Sequence, residues 1–184
     1  TTQRLLDIEH DLTQMFAAVP QPHFALDPTF VASMLDTIDR PLGPDQADTI
    51  GRVCTQGLPV EVVVGRAGTG KTYTMNTVRQ VYEAAGRRLI GVAPSARAAR
   101  ELGDGAGIEA YTVPRFQTSC AGTLSSSDVS VIDEAAMTGP VDLWNVCNDA
   151  RPVGAKVRSL SHTSPSHRSA RLSPPLPQTH SKAT

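Results

Sequence analysis

The chain has 184 residues, 40% hydrophobic and only 4% aromatic, with 17 Lys+Arg against 18 Asp+Glu for a formal net charge of -1. That length holds one core of ordinary domain size. The sequence contains no apolar run near the roughly 18–20 residues of a membrane-spanning helix and no basic N-terminal stretch leading into an apolar one, which argues for a cytoplasmic rather than a membrane or Sec-secreted protein. Cys54, Cys120 and Cys147 are odd in number, far apart and without metal-type spacing, so they indicate neither a disulfide framework nor a zinc site.

In chain order, Leu5, Ile8, Leu12, Met15, Phe16 and Val19 recur at helical spacing and predict one amphipathic helix from Thr1 to Val19 with Thr2 as N-cap, ended by Pro20-Gln21-Pro22. A second helix fits Pro28 to Ile38 with Asp27 as its cap, and a third fits Asp45 to about Gln56, stopped by Gly57-Leu58-Pro59. Val60 to Val64 is a β-branched run too short for a helix and too apolar for an exposed strand, so it reads as a strand of a covered parallel sheet. A glycine-rich loop follows, then a helix from Lys71 to Ala85, a strand Arg88 to Ala93, and a helix from about Ala96 to Leu102. After these come a glycine-rich turn from Gly103 to Gly107, a short strand within Ile108 to Val113, a buried strand Val129 to Ile132 and a helix over Pro140 to Asn148. Strands alternating with helices predict an α/β fold with a mainly parallel sheet.

Charge is unevenly spread. Residues 151–184 carry six basic residues and no acid, with seven Ser, five Pro and three of the five His. Such a composition does not offset its ordering entropy, so the segment reads as a disordered tail. Its charges would also bind phosphates non-specifically, which leaves an evolved nucleic-acid contact as the alternative.

The chemistry concentrates around one loop. Gly65-Arg66-Ala67-Gly68-Thr69-Gly70-Lys71-Thr72 matches G-x-x-x-x-G-K-[ST] throughout, between a predicted strand and a predicted helix. In that context the backbone amides of Gly65, Ala67, Gly68, Thr69 and Gly70 cradle phosphates, Lys71 supplies a charge on the β- and γ-phosphates, and the Thr72 hydroxyl ligates Mg²⁺. Asp133-Glu134 ends the buried strand Val129 to Ile132, where ligands of open parallel sheets bind. Two carboxylates there divide the work: Asp133 holds the metal, and Glu134 orients and deprotonates the attacking water. Gln46 precedes the first strand, and its amide can exchange hydrogen bonds with an adenine edge, selecting ATP. Pro94-Ser95-Ala96-Arg97 and Thr112-Val113-Pro114-Arg115-Phe116 are short polar, basic segments fit to touch a phosphate backbone, with Phe116 as a stacking surface.

With those residues in place, the chain resembles the first motor domain of superfamily 1B DNA helicases of the RecD/TraA-like group, the helicase part of conjugative relaxases. Leu42 to Gln46 is similar to that family's motif Q, Gly65 to Thr72 to motif I, Ala93 to Leu102 to motif Ia, Thr112 to Phe116 to motif Ib, and Val131 to Ala135 to motif II. The resemblance implies a RecA-like P-loop NTPase fold and ATP-driven 5′ to 3′ translocation on single-stranded DNA. It further implies Gln46 on adenine, Lys71 and Thr72 on phosphates and Mg²⁺, Asp133 on the metal, Glu134 on water, and Ser95, Arg97 and Thr112 on the DNA strand. It divides the chain into an N-terminal helical segment (1–40), a motor domain (41–157) and the tail (158–184). Beyond Val157 the family continues with a buried strand, a Gly-Asp-x-x-Gln motif III and a second motor domain, whereas this chain runs Arg-Ser-Leu-Ser-His-Thr-Ser-Pro. The expectation is therefore a motor truncated by an out-of-frame tail, without its second motor domain, and Thr1 likewise reads as the start of an internal piece. Two other readings stay open at this point: an inert nucleotide-binding remnant, and a different phosphate-loop ATPase of AAA+ type.

Overall fold

Five parallel strands in the order β1-β5-β4-β2-β3 form one sheet, with helices on both faces. The computed structural model describes residues 2–65, 70–133 and 137–162, apart from the side chains of 61–65, 71 and 160–162. The strands are β1 (Val60–Gly65), β2 (Arg88–Ala93), β3 (Glu109–Thr112), β4 (Asp128–Ile132) and β5 (Lys156–His162). The α-helices are α1 (Thr2–Phe16), α2 (Pro28–Asp36), α3 (Pro44–Thr55), α4 (Lys71–Ala84), α5 (Ala96–Ala106), α6 (Val113–Ser119) and α7 (Pro140–Ala150).

Alternation along the strands separates two cores. On one face, Ile90, Val92, Ile132 and Val157 meet Ile8 and Leu12 of α1, Val113 and Phe116 of α6, and Val146 and Cys147 of α7. On the other, Leu89, Val129 and Val131 meet Ile50, Val53 and Cys54 of α3, Met75, Val78, Val81 and Tyr82 of α4, and Leu102 and Ala106 of α5. The three cysteines are buried and unpaired, as small apolar residues.

Most predicted elements appear within a few residues of the expected ends, and the differences have local causes. Helix α1 stops at Phe16, and Val19 is 77% exposed, because the residue before a proline is pushed out of the helical region. Thr2 is the first helical residue of α1 and not its cap. Asp27 does cap α2, accepting from the amides of Thr29 at 2.8 Å and Phe30 at 3.0 Å. Helix α5 runs through Gly103-Asp104-Gly105 to Ala106, where a turn was expected. Leu102 and Ala106 are buried, and Asn76 Nδ2 and Arg79 Nε donate to the Ala106 carbonyl at 3.3 and 3.1 Å, so packing on α4 overrides the weak helix preference of glycine.

The larger difference is β5. It lies between β1 and β4, in register with both, and runs to His162, so residues 158–162, expected to begin the tail, form most of an internal strand. Residues 163–184 lie outside the described residues. β5 sends Val157 to the α7 face and places Lys156 and Arg158, each 1% exposed, on the face covered by α3 and α4. Lys156 Nζ donates to the carbonyls of Phe24 at 2.8 Å and Gln56 at 2.5 Å. The Arg158 guanidinium donates to the Val53 carbonyl and, at 3.2 Å, to the Tyr82 hydroxyl.

At the same, amino-terminal end of the strands, Arg88 at the start of β2 forks onto Asp128 at the start of β4, Nε to Oδ1 at 2.9 Å and a terminal nitrogen to Oδ2 at 3.2 Å. Asp128 also accepts from the Ser125 amide at 2.8 Å. Burial opposes ionisation of the Asp128 carboxyl, yet the Arg88 and Ser125 hydrogen bonds hold it below the usual carboxylate range. Replacing Asp128 by Ala is expected to cost about 1–3 kcal/mol, read as a lower urea midpoint at unchanged slope.

Candidate functional site

Every described candidate lies at or just beyond the carboxyl ends of the strands. In a parallel sheet, that is where chain crossings leave a crevice for ligands. Gly65 ends β1 opposite His162 of β5. The Asp133 amide donates to the Val92 carbonyl at 2.9 Å, extending the β2–β4 pairing by one residue and placing half-buried Asp133 on the rim. Thr112 ends β3 beside Ala93 of β2, with Ser95 and Arg97 immediately after. Following the strand order, Gly65 and Asp133 end strands on one stretch of rim, and Ser95, Arg97 and Thr112 lie on the other.

At the loop exit Gly70 takes φ +74°, a left-handed conformation that strains any residue with a Cβ, and serves as N-cap of α4. The hydrogen-bond ladder of α4 opens with Thr74 N on the Gly70 carbonyl at 2.9 Å, so the amides of residues 71–73 precede the first helical bond. These amides and the positive end of the helix dipole favour an anion. Gln46 on α3 accepts from the Gly43 amide through Oε1 at 3.0 Å, and its Nε2 lies 2.7 Å from where a Cβ on Gly70 would stand. A side chain at 70 would thus fill the cradle that Gln46 and the α4 N-terminus enclose. Ala67, Gly68, Thr69 and Glu134 lie outside the described residues, as does the side chain of Lys71.

The donors also suit Mg²⁺. Among the described residues no cluster of three or more His, Cys, Asp or Glu could hold a metal by itself. The site offers the Thr72 hydroxyl and the Asp133 carboxylate, and Mg²⁺ at nucleotide sites takes one or two protein oxygens and completes its shell from phosphates and water.

Two residues at the loop were not anticipated from the sequence. Tyr73, in the first turn of α4, donates from its hydroxyl to the Arg40 carbonyl at 2.7 Å, and the Arg40 guanidinium carbon stands 4.8 Å from the Tyr73 ring centroid. This pair straps the segment before Gln46 to the start of α4. The tyrosine at the variable position after Thr72 was visible, but no spacing rule ties it to Arg40.

The DNA candidates have local roles as well. Ser95 Oγ accepts from the Ala98 amide at 3.1 Å and caps α5. Arg97 Nε meets Glu101 Oε1 at 2.8 Å across one helical turn. Its side chain is 88% exposed, so solvent screens the pair and it holds Arg97 only weakly. Thr112, half-buried, precedes α6 without a side-chain capping bond. Phe116 is corrected: it is 0% exposed, packed in the core under α6, and offers no stacking surface to a base.

A family model described as "AAA domain" (AAA_30) matches residues 41–164. The chain belongs to this AAA domain family. It is a superfamily 1 helicase-type domain, a helicase-related nucleotide-binding unit. The AAA domain match contains every candidate from Gln46 to Glu134 and the whole of β5, while α1 and α2 precede it. The chain is 34% identical over 101 residues to the conjugal transfer protein TraA of Agrobacterium fabrum and, equally, to the probable conjugal transfer protein TraA of Sinorhizobium fredii. It is 32% identical over the same length to the conjugal transfer protein TraA of Rhizobium radiobacter. These alignments cover 53% of this chain and 9% of each relative, so the AAA domain corresponds to a small part of those proteins. Among the described residues no helix is long and apolar enough to cross a membrane.

Proposed function

We propose that this chain is the first ATP-binding motor unit of a conjugative DNA helicase, in which ATP hydrolysis drives 5′ to 3′ movement along single-stranded DNA. The observation that carries the reading is the meeting of a complete phosphate-loop sequence, a left-handed Gly70 opening α4 and Asp133 on one strand rim of an AAA domain. The loop amides and Lys71 bind and orient the β- and γ-phosphates, and Gln46 reads the adenine edge. Thr72 and Asp133 would hold Mg²⁺, which would supply positive charge to offset that of the phosphates. Glu134 accepts a proton from water as its oxygen bonds to the γ-phosphorus, and the bond from that phosphorus to the bridging oxygen breaks, leaving ADP and inorganic phosphate. Ser95, Arg97 and Thr112 contact the DNA backbone from the neighbouring stretch of rim.

A second reading, a nucleotide-binding module with feeble turnover, is favoured by one observation. β5 ends in Ser159-Leu160-Ser161-His162, where the helicase resemblance predicts the approach to Gly-Asp-x-x-Gln. A missing arginine finger would add to this, since such a residue is worth roughly 10³–10⁵ in rate.

An ATPase assay of the purified 184-residue chain, with and without single-stranded DNA and with Glu134→Gln as control, separates the two readings. DNA-stimulated turnover that Glu134→Gln abolishes supports the motor, and tight binding without turnover supports the module. The chain alone is expected to bind ATP without separating DNA strands.

A further inference from the structure

The last turn of α5 touches the first turn of α4 where Gly105 faces Thr72. A Cβ added to Gly105 would stand 2.9 Å from Thr72 Cγ2 and 3.5 Å from Thr72 Oγ1. Carbon atoms in optimal contact stand about 3.5–4.0 Å apart, so a methyl at 105 overlaps the Thr72 methyl. α5 has no freedom to slide away. Its Ala106 carbonyl is held by both Asn76 and Arg79 of α4, and Leu102 and Ala106 are buried in the core beneath. The strain therefore falls on Thr72. A β-branched side chain escapes by turning about χ1, and that turn moves the hydroxyl together with the methyl.

We propose that Gly105 is a positioning residue for the Thr72 hydroxyl. Glycine at 105 leaves room for threonine at 72 in the rotamer that serves Mg²⁺ and ATP, so the helix that begins with Ser95 and Arg97 sets the metal ligand with its last turn. The inference rests on the ATP reading of the phosphate loop and adds to it a residue that lies outside the motif. Alanine is a better helix former than glycine, so Gly105→Ala leaves α5 intact while crowding Thr72.

The test titrates a fluorescent ATP analogue into four proteins, wild type, Gly105→Ala, Thr72→Ser and the double variant, each with Mg²⁺ and with EDTA, alongside thermal melts. Serine lacks the methyl that a Cβ at 105 meets but keeps the hydroxyl. Wild type is expected to gain affinity with Mg²⁺, and whatever gain Thr72→Ser shows is the reference for the double variant. Gly105→Ala is expected to lose about 10-fold or more of that gain with its EDTA affinity unchanged, the size typical for removing support from a metal ligand. The double variant regains the loss, which a merely destabilised fold would not do. Wild-type magnesium dependence in Gly105→Ala, or no recovery in the double variant, overturns the inference. Absence of magnesium dependence in the wild type itself overturns the ATP reading and this inference with it.

Discussion

In the Lys71→Ala protein, ATP affinity measured by calorimetry is expected to fall at least about 100-fold from a micromolar or weaker starting value, with the melting temperature of the ligand-free protein unchanged. Lys71 opens α4 directly after Gly70, the chain position from which the lysine of the phosphate-loop motif serves the β- and γ-phosphates. Hydrogen bonds to charged groups contribute about 1.5–3 kcal/mol each, and a lysine shared between two phosphates makes two, which corresponds to at least 100-fold. The fold does not depend on it, because α4 is held by Met75, Val78, Val81 and Tyr82 further along. ATP should raise the melting temperature of the wild type and not of the variant, since only a ligand that binds the native state stabilises it. Undiminished binding by Lys71→Ala would place the nucleotide elsewhere.

The second large effect concerns the two cations of β5. Burial pushes the Lys156 ammonium down from its ordinary 10.5 to about 7, helped by the positive charge of Arg87 and opposed by Cys54. The Arg158 guanidinium is likewise lowered by burial to about 9, again opposed by Cys54. In the unfolded chain both stay protonated well above those values. Between pH 7 and about 8.5 the unfolded state therefore binds more protons than the native one, and stability rises with pH. Above that range the buried thiols of Cys54 and Cys147, pushed up to about 12 by burial, act in the opposite sense. Urea midpoints measured from pH 6.5 to 8.5 should climb in the wild type and flatten in Lys156→Met. At fixed pH, Arg158→Met should be more stable than wild type by about 1–4 kcal/mol, the range seen when buried charges give way to apolar side chains of similar shape. For a protein of this size that raises the melting temperature by at least about 2–4 °C for each kcal/mol. The Tyr82 hydroxyl keeps a partner in that variant, because it also donates to the Val53 carbonyl at 3.0 Å. A lower melting temperature for Arg158→Met would mean that the guanidinium's hydrogen bonds outweigh its desolvation.

The readable parts of the fold share one property: their local signal and their tertiary environment agree. Val60 to Val64 and Val129 to Ile132 are apolar, largely β-branched runs that become strands, the second of them buried throughout, and the phosphate loop carries its own strand and helix as flanks. Asp27 and Pro28 mark the start of α2 by capping chemistry alone. Where signal and environment part, reading along the chain fails. Gly103 and Gly105 suggest a turn, but α4 grips the helix that contains them. Phe116 sits in a polar, basic stretch that suggests a surface, yet it points into the core. β5 is the clearest case. Lys156-Val157-Arg158-Ser159 has the composition of a tail, and it becomes a strand because the sheet offers a slot with unpaired backbone on both sides, from β1 and from β4. Within the site, the motif residues were legible because their chemistry demands fixed spacing. Arg40, Tyr73 and Gly105 were not, because they reach the loop through tertiary contacts of long sequence separation.

The position of β5 also governs when the domain comes into being. Among the described residues β1 stands at the end of the sheet and pairs with β5 alone, Val60 beside Val157. During synthesis, which proceeds at about 5–20 residues per second, the strand that carries the phosphate loop waits for its partner until nearly a hundred further residues have been made. Closing so long a separation is slow, and until then β1 exposes an apolar, unpaired edge of the kind that other chains recruit. The nucleotide cradle thus matures late, and the chain depends on protection from aggregation until residues 156–162 join the sheet.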